Sequence, residues 1–441
     1  MTHASPPDLL RLDDDALLDE LQRAAFGYLI DYGNPRNGLV ADTSRAGAPA
    51  SIAVAGFALS CYPVGVERGW MSRADAVART LAALRFFHES RHGPEPDATG
   101  HMGFYYHFLD METGARTWRC ELSVMDTALL LAGALCAASY FSGDDPRERE
   151  IRDLADSLYN RVDWPWARGG DATTRQGWTP EGGFLRDGWD GYDEAAILYV
   201  LGLGAPTMPL AGDSYHSWTS AYEWVRTYDL EYLYAGPLFI HQFSHAWIDF
   251  AGIQDAFMRA KGSDYFRNSQ TAVAVHREYA RRNPMEFKGY DEDFWGLSAC
   301  DGPGLKTRVV QGRRRRFMGY QARGAPYGPD DGCVSPIAAL AAIPFAPEAA
   351  LSSVRRLIAR YPHVVVQSRL PSSFNPTLPG RSRRGWVSNA WFGLDQGLLV
   401  MMIENRRTGL IWKLMRDCPH IRTGLRRAGF TGGWLSGDER S

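Results

Sequence analysis

Segments that are apolar on every side alternate along this chain with segments that are apolar on one face only. Ser51 to Tyr62, Glu121 to Phe141, Ala195 to Leu203, Leu238 to Phe250, Gly332 to Ile343 and Asn389 to Asn405 are of the first kind. Asp14 to Tyr32, Ser72 to Arg91, Arg147 to Val162, Ser214 to Arg226, Ser263 to Arg282 and Pro347 to Tyr361 are of the second, and a shorter helical tail, Thr408 to Arg427, closes the chain. A helix that is apolar all round needs neighbours on all sides, whereas an amphipathic helix can cover it and face water. About six such pairs have a natural closed solution, an all-α (α/α)6 toroid with six inner and six outer helices. An open solenoid would also supply neighbours. Period-2 alternation is nearly absent, and only His363 to Gln367 reads as a strand. No composition shift marks a linker, so one domain over residues 1–441 is expected.

If the inner helices run the same way, the loops before them converge on one face. These are residues 42–51, 101–126, 178–194, 234–245, 301–331 and 386–395, where Trp, Tyr, His, Asp and Glu concentrate. Function carried by loops at one end of a rigid scaffold is the expected arrangement, here a cleft at the N-terminal ends of the inner helices.

Composition removes several classes of function. A formal net charge of -3 gives no global basic field for nucleic acid. The six cysteines are scattered, without a CxxC, which argues against a zinc site and against a disulfide framework. No stretch reaches the roughly 18 apolar residues of a membrane span. The first 21 residues lack the basic and apolar regions of a signal peptide. The expectation is a soluble, cytoplasmic protein, or a periplasmic one if an export signal precedes this numbering. No cofactor and no metal are expected. The 14 Trp and 20 Tyr suit either core packing or a carbohydrate cleft.

The stretch Gly177 to Pro206, GWTPEGGFLRDGWDGYDEAAILYVLGLGAP, sharpens that choice. Five carboxylates, Glu181, Asp187, Asp190, Asp193 and Glu194, sit with Trp178 and Trp189 on a glycine-rich loop that enters an apolar helix. Acids can handle protons while indoles stack on sugar rings. Asp190 fits a helix N-cap and Asp193 the N3 position, and Ser123 with Asp126 has the same form, so capping is an equal reading for these acids. Glu194 lies one step further, against Ala195, Ala196 and Ile197. Burial and neighbouring carboxylates there would raise its pKa and let it serve as a general acid. Glu121, ahead of the second apolar segment, is the other candidate. His241 and His245 are four apart on one expected helical face, where hydrogen-bonding or core roles outweigh a metal, since no third ligand can be named. The run Arg313 to Arg316 reads as a solvated loop.

Several motifs are specific. WDGYDEAAILYVLGLGAPT, GPLFIHQFSHAWID, ACDGPG, ARGAPYGPDDG and GLDQGLLVMMIENRRTGLIWKL resemble the glucoamylase-like family, as do ELSVMDTALLLAGAL and PASIAVAGFALSCYPVGVERGW upstream. That family includes bacterial endo-β-1,2-glucanases, sophorose-releasing relatives and the cyclisation domain of cyclic β-1,2-glucan synthases. The likeness runs from about Leu39 to Lys413. It implies an (α/α)6 toroid and a glycoside hydrolase or transglycosylase acting on β-1,2-glucan or its oligosaccharides. Another β-glucan, another reaction on the same toroid, or non-catalytic glycan binding are the alternatives. It implies an essential acid at Glu194 and further essential acids at Glu121 and Asp126. The substrate-binding residues expected are Tyr106, Trp178, Trp189, Asp190, Asp193, His241, His245, Asp301, Arg323, Asp331, Trp391, Asp395 and Gln396, with Asp395 placed to position a water.

Overall fold

The computed structural model describes residues 4–380 and 384–438. Among the described residues there are sixteen α-helices, and the strands are two to five residues long, so the helical class expected from the pattern holds. The chain divides into two compact units, one of Tyr28–Glu223, Ser244–Phe266 and Thr408–Ser441, the other of Met1–Gly27, Trp224–Phe243 and Arg267–Arg407. No helix among the described residues is long and apolar enough to cross a membrane.

In the first unit the helix Ile52–Glu67 is buried continuously from Ile52 to Gly65, as its all-round apolarity requires. Ser51 starts it by accepting the Val54 N–H. It packs along the equally apolar helix Val124–Tyr140. The two backbones touch at Gly56 and Gly133: a Cβ on Gly133 would overlap the Gly56 carbonyl oxygen, and one on Gly56 the Leu129 carbonyl. The amphipathic helices Arg73–Glu89 and Pro146–Asn160 pack on each other and on this pair. Ser72 caps the first of them by accepting the Asp75 N–H, as the sequence suggests. The wholly buried helix Ala196–Gly204 packs against Pro419–Arg427.

Between the helices lies a five-stranded antiparallel sheet that the period-2 test does not find. It is ordered Gly100–His101, Phe104–Tyr106, Leu122–Ser123, Gly177–Thr179, Gly183–Phe184. Strands of two or three residues are too short to show an alternation. Their register nonetheless aligns Tyr106 with Leu122, Leu122 with Trp178 and Trp178 with Phe184. Loop segments far apart in sequence are thereby fixed side by side.

In the second unit Pro336–Ala341 packs against both Pro347–Arg360 and Gly393–Arg407. The expected loop of arginines is instead a strand: Arg313–Phe317 pairs with Lys306–Val310 across a turn at Gln311 and Gly312. Arg315 points inward, donates to the Met285 and Glu286 carbonyls and lies over the Phe287 ring. A second hairpin, Trp224–Thr227 with Leu230–Leu233, replaces the end of an expected helix. Its turn residues Tyr228 and Asp229 both have positive φ, 50° and 61°. Neither is glycine or asparagine, so the usual hairpin signal is missing.

Three other expectations are corrected. Leu238 to Phe250 is not one helix but a 3-10 turn, Leu238–His241, then a short helix, Phe243–Trp247, interrupted at Gln242 with φ -125° and ψ -43°. His241 and His245 therefore sit on separate elements, and the shared helical face falls away. His363 to Gln367 is not a strand: a 3-10 turn, Pro362–Val364, leads into a reversal at Gln367 and Ser368, both of positive φ. The third apolar helix begins at Ala196, so Asp190 and Asp193 do not occupy N-cap and N3.

Candidate active site

Glu194 lies in the bend immediately before the buried helix Ala196–Gly204. With the capping positions shifted, the helix takes its cap from elsewhere in the chain. Ser244 Oγ accepts the Ile197 N–H at 3.1 Å and donates to the Glu194 carbonyl at 2.8 Å. This fixes the backbone that carries the Glu194 side chain. Asp193 Oδ1 accepts the Ala195 N–H at 2.9 Å and the Trp218 indole N–H at 3.1 Å. Burial first, then the Asp193 and Asp126 charges, push the Glu194 carboxyl up to about 8. Burial also raises Asp193, while its two donors favour the charged form. Of this adjacent pair, Asp193 is pushed up to about 7 and Glu194, which lacks those two donors, further.

A second group of acids gathers around His107. The sheet sets it there: Tyr106 pairs with Leu122, and the His107 N–H donates to the Glu121 carbonyl at 3.0 Å. The imidazole Nδ1 lies 2.8 Å from Glu121 Oε1, and Nε2 lies 3.7 Å from Asp126 Oδ2. Burial alone would lower the imidazole pKa. The Asp126 charge, the hydrogen bond and charge of Glu121, and the Asp42 charge outweigh it and raise it to about 9. The cation acts back on Glu121: burial pushes that carboxyl up, but the His107 hydrogen bond and charge prevail and hold it below its ordinary value. Asp42 is pushed up to about 6, chiefly by burial. Asp126 remains the N3 residue of its helix, as expected, with Ser123 Oγ accepting its N–H at 3.1 Å. The result is a raised carboxyl, Glu194, within electrostatic reach of Asp126, and a separate group in which the His107 cation holds the Glu121 carboxyl low.

Aromatic side chains line the same sheet. Trp178, half-buried, has its ring centroid 5.1 Å from His101 and 5.9 Å from Trp166. Tyr106 is buried beneath the Arg116 guanidinium at 4.7 Å, and its hydroxyl has no hydrogen-bond partner among the described residues. The Trp189 indole N–H is in the same condition. Asp190 is exposed and accepts the Thr173 hydroxyl at 2.7 Å. Glu181 leaves the expected acid cluster to form a paired contact with Arg116, at 2.9 and 3.1 Å. His245 is a buried core residue whose ring meets Phe250 edge-on at 4.9 Å.

The remaining expected residues lie in the other unit. Arg323 and Asp331 are 0% and 1% exposed and pair through two bonds of 2.7 and 2.9 Å. The same guanidinium donates to the carbonyls of Cys300, Gln321 and Gly319. Asp301 accepts the Ser388 hydroxyl at 2.7 Å. Buried His241 has Nε2 3.1 Å from the Ala235 carbonyl, and buried Gln396 donates to the Leu370 carbonyl at 3.3 Å. Trp391 is half-buried under the Arg369 guanidinium, and Asp395 is half-buried in the first turn of Gly393–Arg407. Among the described residues no group of three or more His, Cys, Asp and Glu could hold a metal ion.

Sequence reading misses His107, Asp42 and Ser244. His107 stands inside FYYHFL, where only the strand pairing shows that it faces Glu121. Asp42 lies in a loop singled out for its position but not for that residue. Ser244 is a polar residue in an apolar run, and that was the available signal.

Residues 187–419 match the family described as "Putative glucoamylase". The exo β-1,2-glucooligosaccharide sophorohydrolase (non-reducing end) of Parabacteroides distasonis is 26% identical over 452 residues. That match covers 94% of this chain but 58% of the relative, so the chain spans little more than half the length of that protein. A "putative glucoamylase" of known structure from Bacteroides uniformis is 30% identical, with a TM-score of 0.85, covering 96% of this chain and 99% of that one. The endo-β-1,2-glucanase of Chitinophaga pinensis, solved with sophorotriose and glucose, shares the fold: TM-score 0.82, 24% identity, 96% of this chain and 100% of that one.

Proposed function

The chain belongs to the glucoamylase-like family, and from that premise we propose that it is a glycoside hydrolase acting on β-1,2-linked glucan or gluco-oligosaccharides. The observation that carries the reading is the division of protons: Glu194 raised to about 8, Glu121 held below its ordinary value by His107. Glycoside cleavage needs that division, one carboxyl to give a proton and one carboxylate to take one or to attack. The β-1,2 linkage is suggested by the relatives' names and is the part most exposed to test.

In the proposed reaction Glu194 protonates the glycosidic oxygen as its bond to the anomeric carbon breaks. Glu121 or Asp126 either takes a proton from the water that adds to that carbon or attacks it directly. A sugar hydroxyl entering in place of water gives transglycosylation by the same steps. His107 is a positioning residue that holds the Glu121 carboxyl below its ordinary value. Trp178 and Trp189 suit stacking on sugar faces. Tyr106 and Trp189 carry donors that the described residues do not use. Trp391 and Asp395 are proposed as substrate contacts of the other unit. Arg323, Asp331, Asp301, His241 and Gln396, bonded internally, support the segments that bear them, and His245 supports the first unit's core. The protein is proposed to work as one catalytic domain.

The test is incubation with linear β-1,2-glucan and short β-1,2-gluco-oligosaccharides, following product size and anomeric form. Sophorose or a ladder of oligosaccharides supports the reading. Longer or cyclic products without new reducing ends assign transglycosylation. No change in any of these substrates, with turnover of another β-glucan, overturns the linkage.

A further inference from the structure

Beside the carboxylate cluster, in the same unit, is a pocket of about 710 Å3 between residues 31–49 and 110–118. Its size falls in the ordinary range for a small-molecule site, roughly 300–1,000 Å3. Its walls are tied together. Asn34 and Asn37 both donate to the Met111 carbonyl at 3.0 Å, and Arg36 pairs with Glu112. Trp118 lines it and is 66% exposed, the most solvent-open tryptophan among the exposed large hydrophobics.

The backbone that carries it is strained. Trp118 and Arg119 are consecutive left-handed residues, with φ of 57° and 51°. Neither is glycine, and such strain persists only where the surroundings over-determine it. Here the nearly buried Arg116 supplies the restraint, donating to the Arg119 carbonyl at 2.8 Å and the Cys120 carbonyl at 2.6 Å. The exposed indole of this turn lines the pocket. From the indole, ring contacts lead to the carboxylates: Trp118 to Phe108 at 5.1 Å, and Phe108 stacked on His107 at 3.9 Å. Ala41 and Thr43, also in the lining, flank Asp42, whose charge acts on the same imidazole. The ionisable lining is mixed, three acids (Asp31, Asp110, Glu112) and two arginines (Arg36, Arg45), which offers no single-sign field for an anion. A neutral polyhydroxylated ligand fits a flat apolar face set among polar walls.

We propose that this pocket is an outlying glucosyl subsite of the cleft, with Trp118 as its stacking platform, gripping the chain beyond the bond that is cut. This inference rests on the glycosidase reading above. Binding away from the reacting bond favours longer substrates.

The experiment measures kcat/KM for wild type, Trp118→Ala and Trp118→Phe across a length series of β-1,2-gluco-oligosaccharides. In wild type the ratio for the longest over the shortest cleaved substrate should exceed that in Trp118→Ala by on the order of tenfold. Trp118→Phe should keep most of the preference. Titration of Glu194→Gln with the longest oligosaccharide should change tryptophan fluorescence, and Trp118→Ala in that background should remove most of the change. A Trp118→Ala loss equal at every length, or none at any length, overturns the subsite and leaves the glycosidase reading standing. Absence of turnover by wild type on the whole series removes the premise and the subsite with it.

Discussion

Replacing His107 by glutamine keeps a polar side chain with a hydrogen-bond donor and removes the cation. In the native site Nδ1 is 2.8 Å from Glu121 and Nε2 is 3.7 Å from Asp126. Opposite unit charges about 4 Å apart attract by about 4 kcal/mol at an effective dielectric near 20. The His107 and Glu121 side chains are 27% and 30% exposed, so solvent screening should remove about half of that, leaving about 2 kcal/mol. Loss of that attraction should raise the Glu121 carboxyl from its lowered position. The sign follows from the charge: without a positive neighbour the protonated carboxyl is favoured, so the base needs a higher pH to ionise. The acid limb of kcat/KM should move up by roughly 1–2 pH units, with a loss of about 30-fold on that limb. The basic limb, set by Glu194 near 8, should stay in place, because Asp193 and Asp126 rather than His107 govern that group besides burial. The assay is reducing-end release from β-1,2-gluco-oligosaccharides at substrate well below KM, across both limbs. An acid limb that does not move in a folded variant refutes the reasoning. An equal loss at every pH also refutes it, since that would make His107 a matter of geometry alone.

Three further outcomes follow from the same site and its scaffold. Asp193→Asn removes a charge that raises Glu194, so the basic limb of kcat/KM should shift below about 8, as a pH profile would show. Gly133→Ala forces a methyl against the Gly56 carbonyl and should cost about 1–3 kcal/mol in denaturant unfolding. Arg323→Met leaves Asp331 buried without its partner and should cost about 3–5 kcal/mol, much of it recovered when Asp331 is also made apolar, as thermal melts of both variants would report.

The inner helices were legible because burial on every side demands an unbroken apolar run, and the outer ones because burial on one face leaves a period. Ile52–Glu67, Val124–Tyr140 and Ala196–Gly204 are apolar all round and are buried all round. Ser72 with Asp75 and Ser123 with Asp126 announced their helix starts. The sheet was not legible: two-residue strands carry no period, and Leu122 pairs with Trp178 through contacts more than fifty positions apart. Its absence from the sequence reading hid His107, since only that pairing brings the imidazole to Glu121. The hairpin at Tyr228 and Asp229 escaped because both adopt positive φ without being glycine, and the one at Gln311 and Gly312 because only its second turn residue is glycine. Glu194 was legible as an acid against an apolar helix. What holds it, Ser244 from a distant segment, was not.

The central claim is that Glu194 donates the proton to the leaving sugar. A substrate whose leaving group needs no proton isolates that step. We would compare wild type and Glu194→Gln on linear β-1,2-glucan and on a dinitrophenyl β-sophoroside. The account predicts a loss of about 10²–10⁴-fold in kcat on the glucan and a far smaller loss on the activated aryl glycoside. Equal losses on both substrates, or none on the glucan, would contradict it.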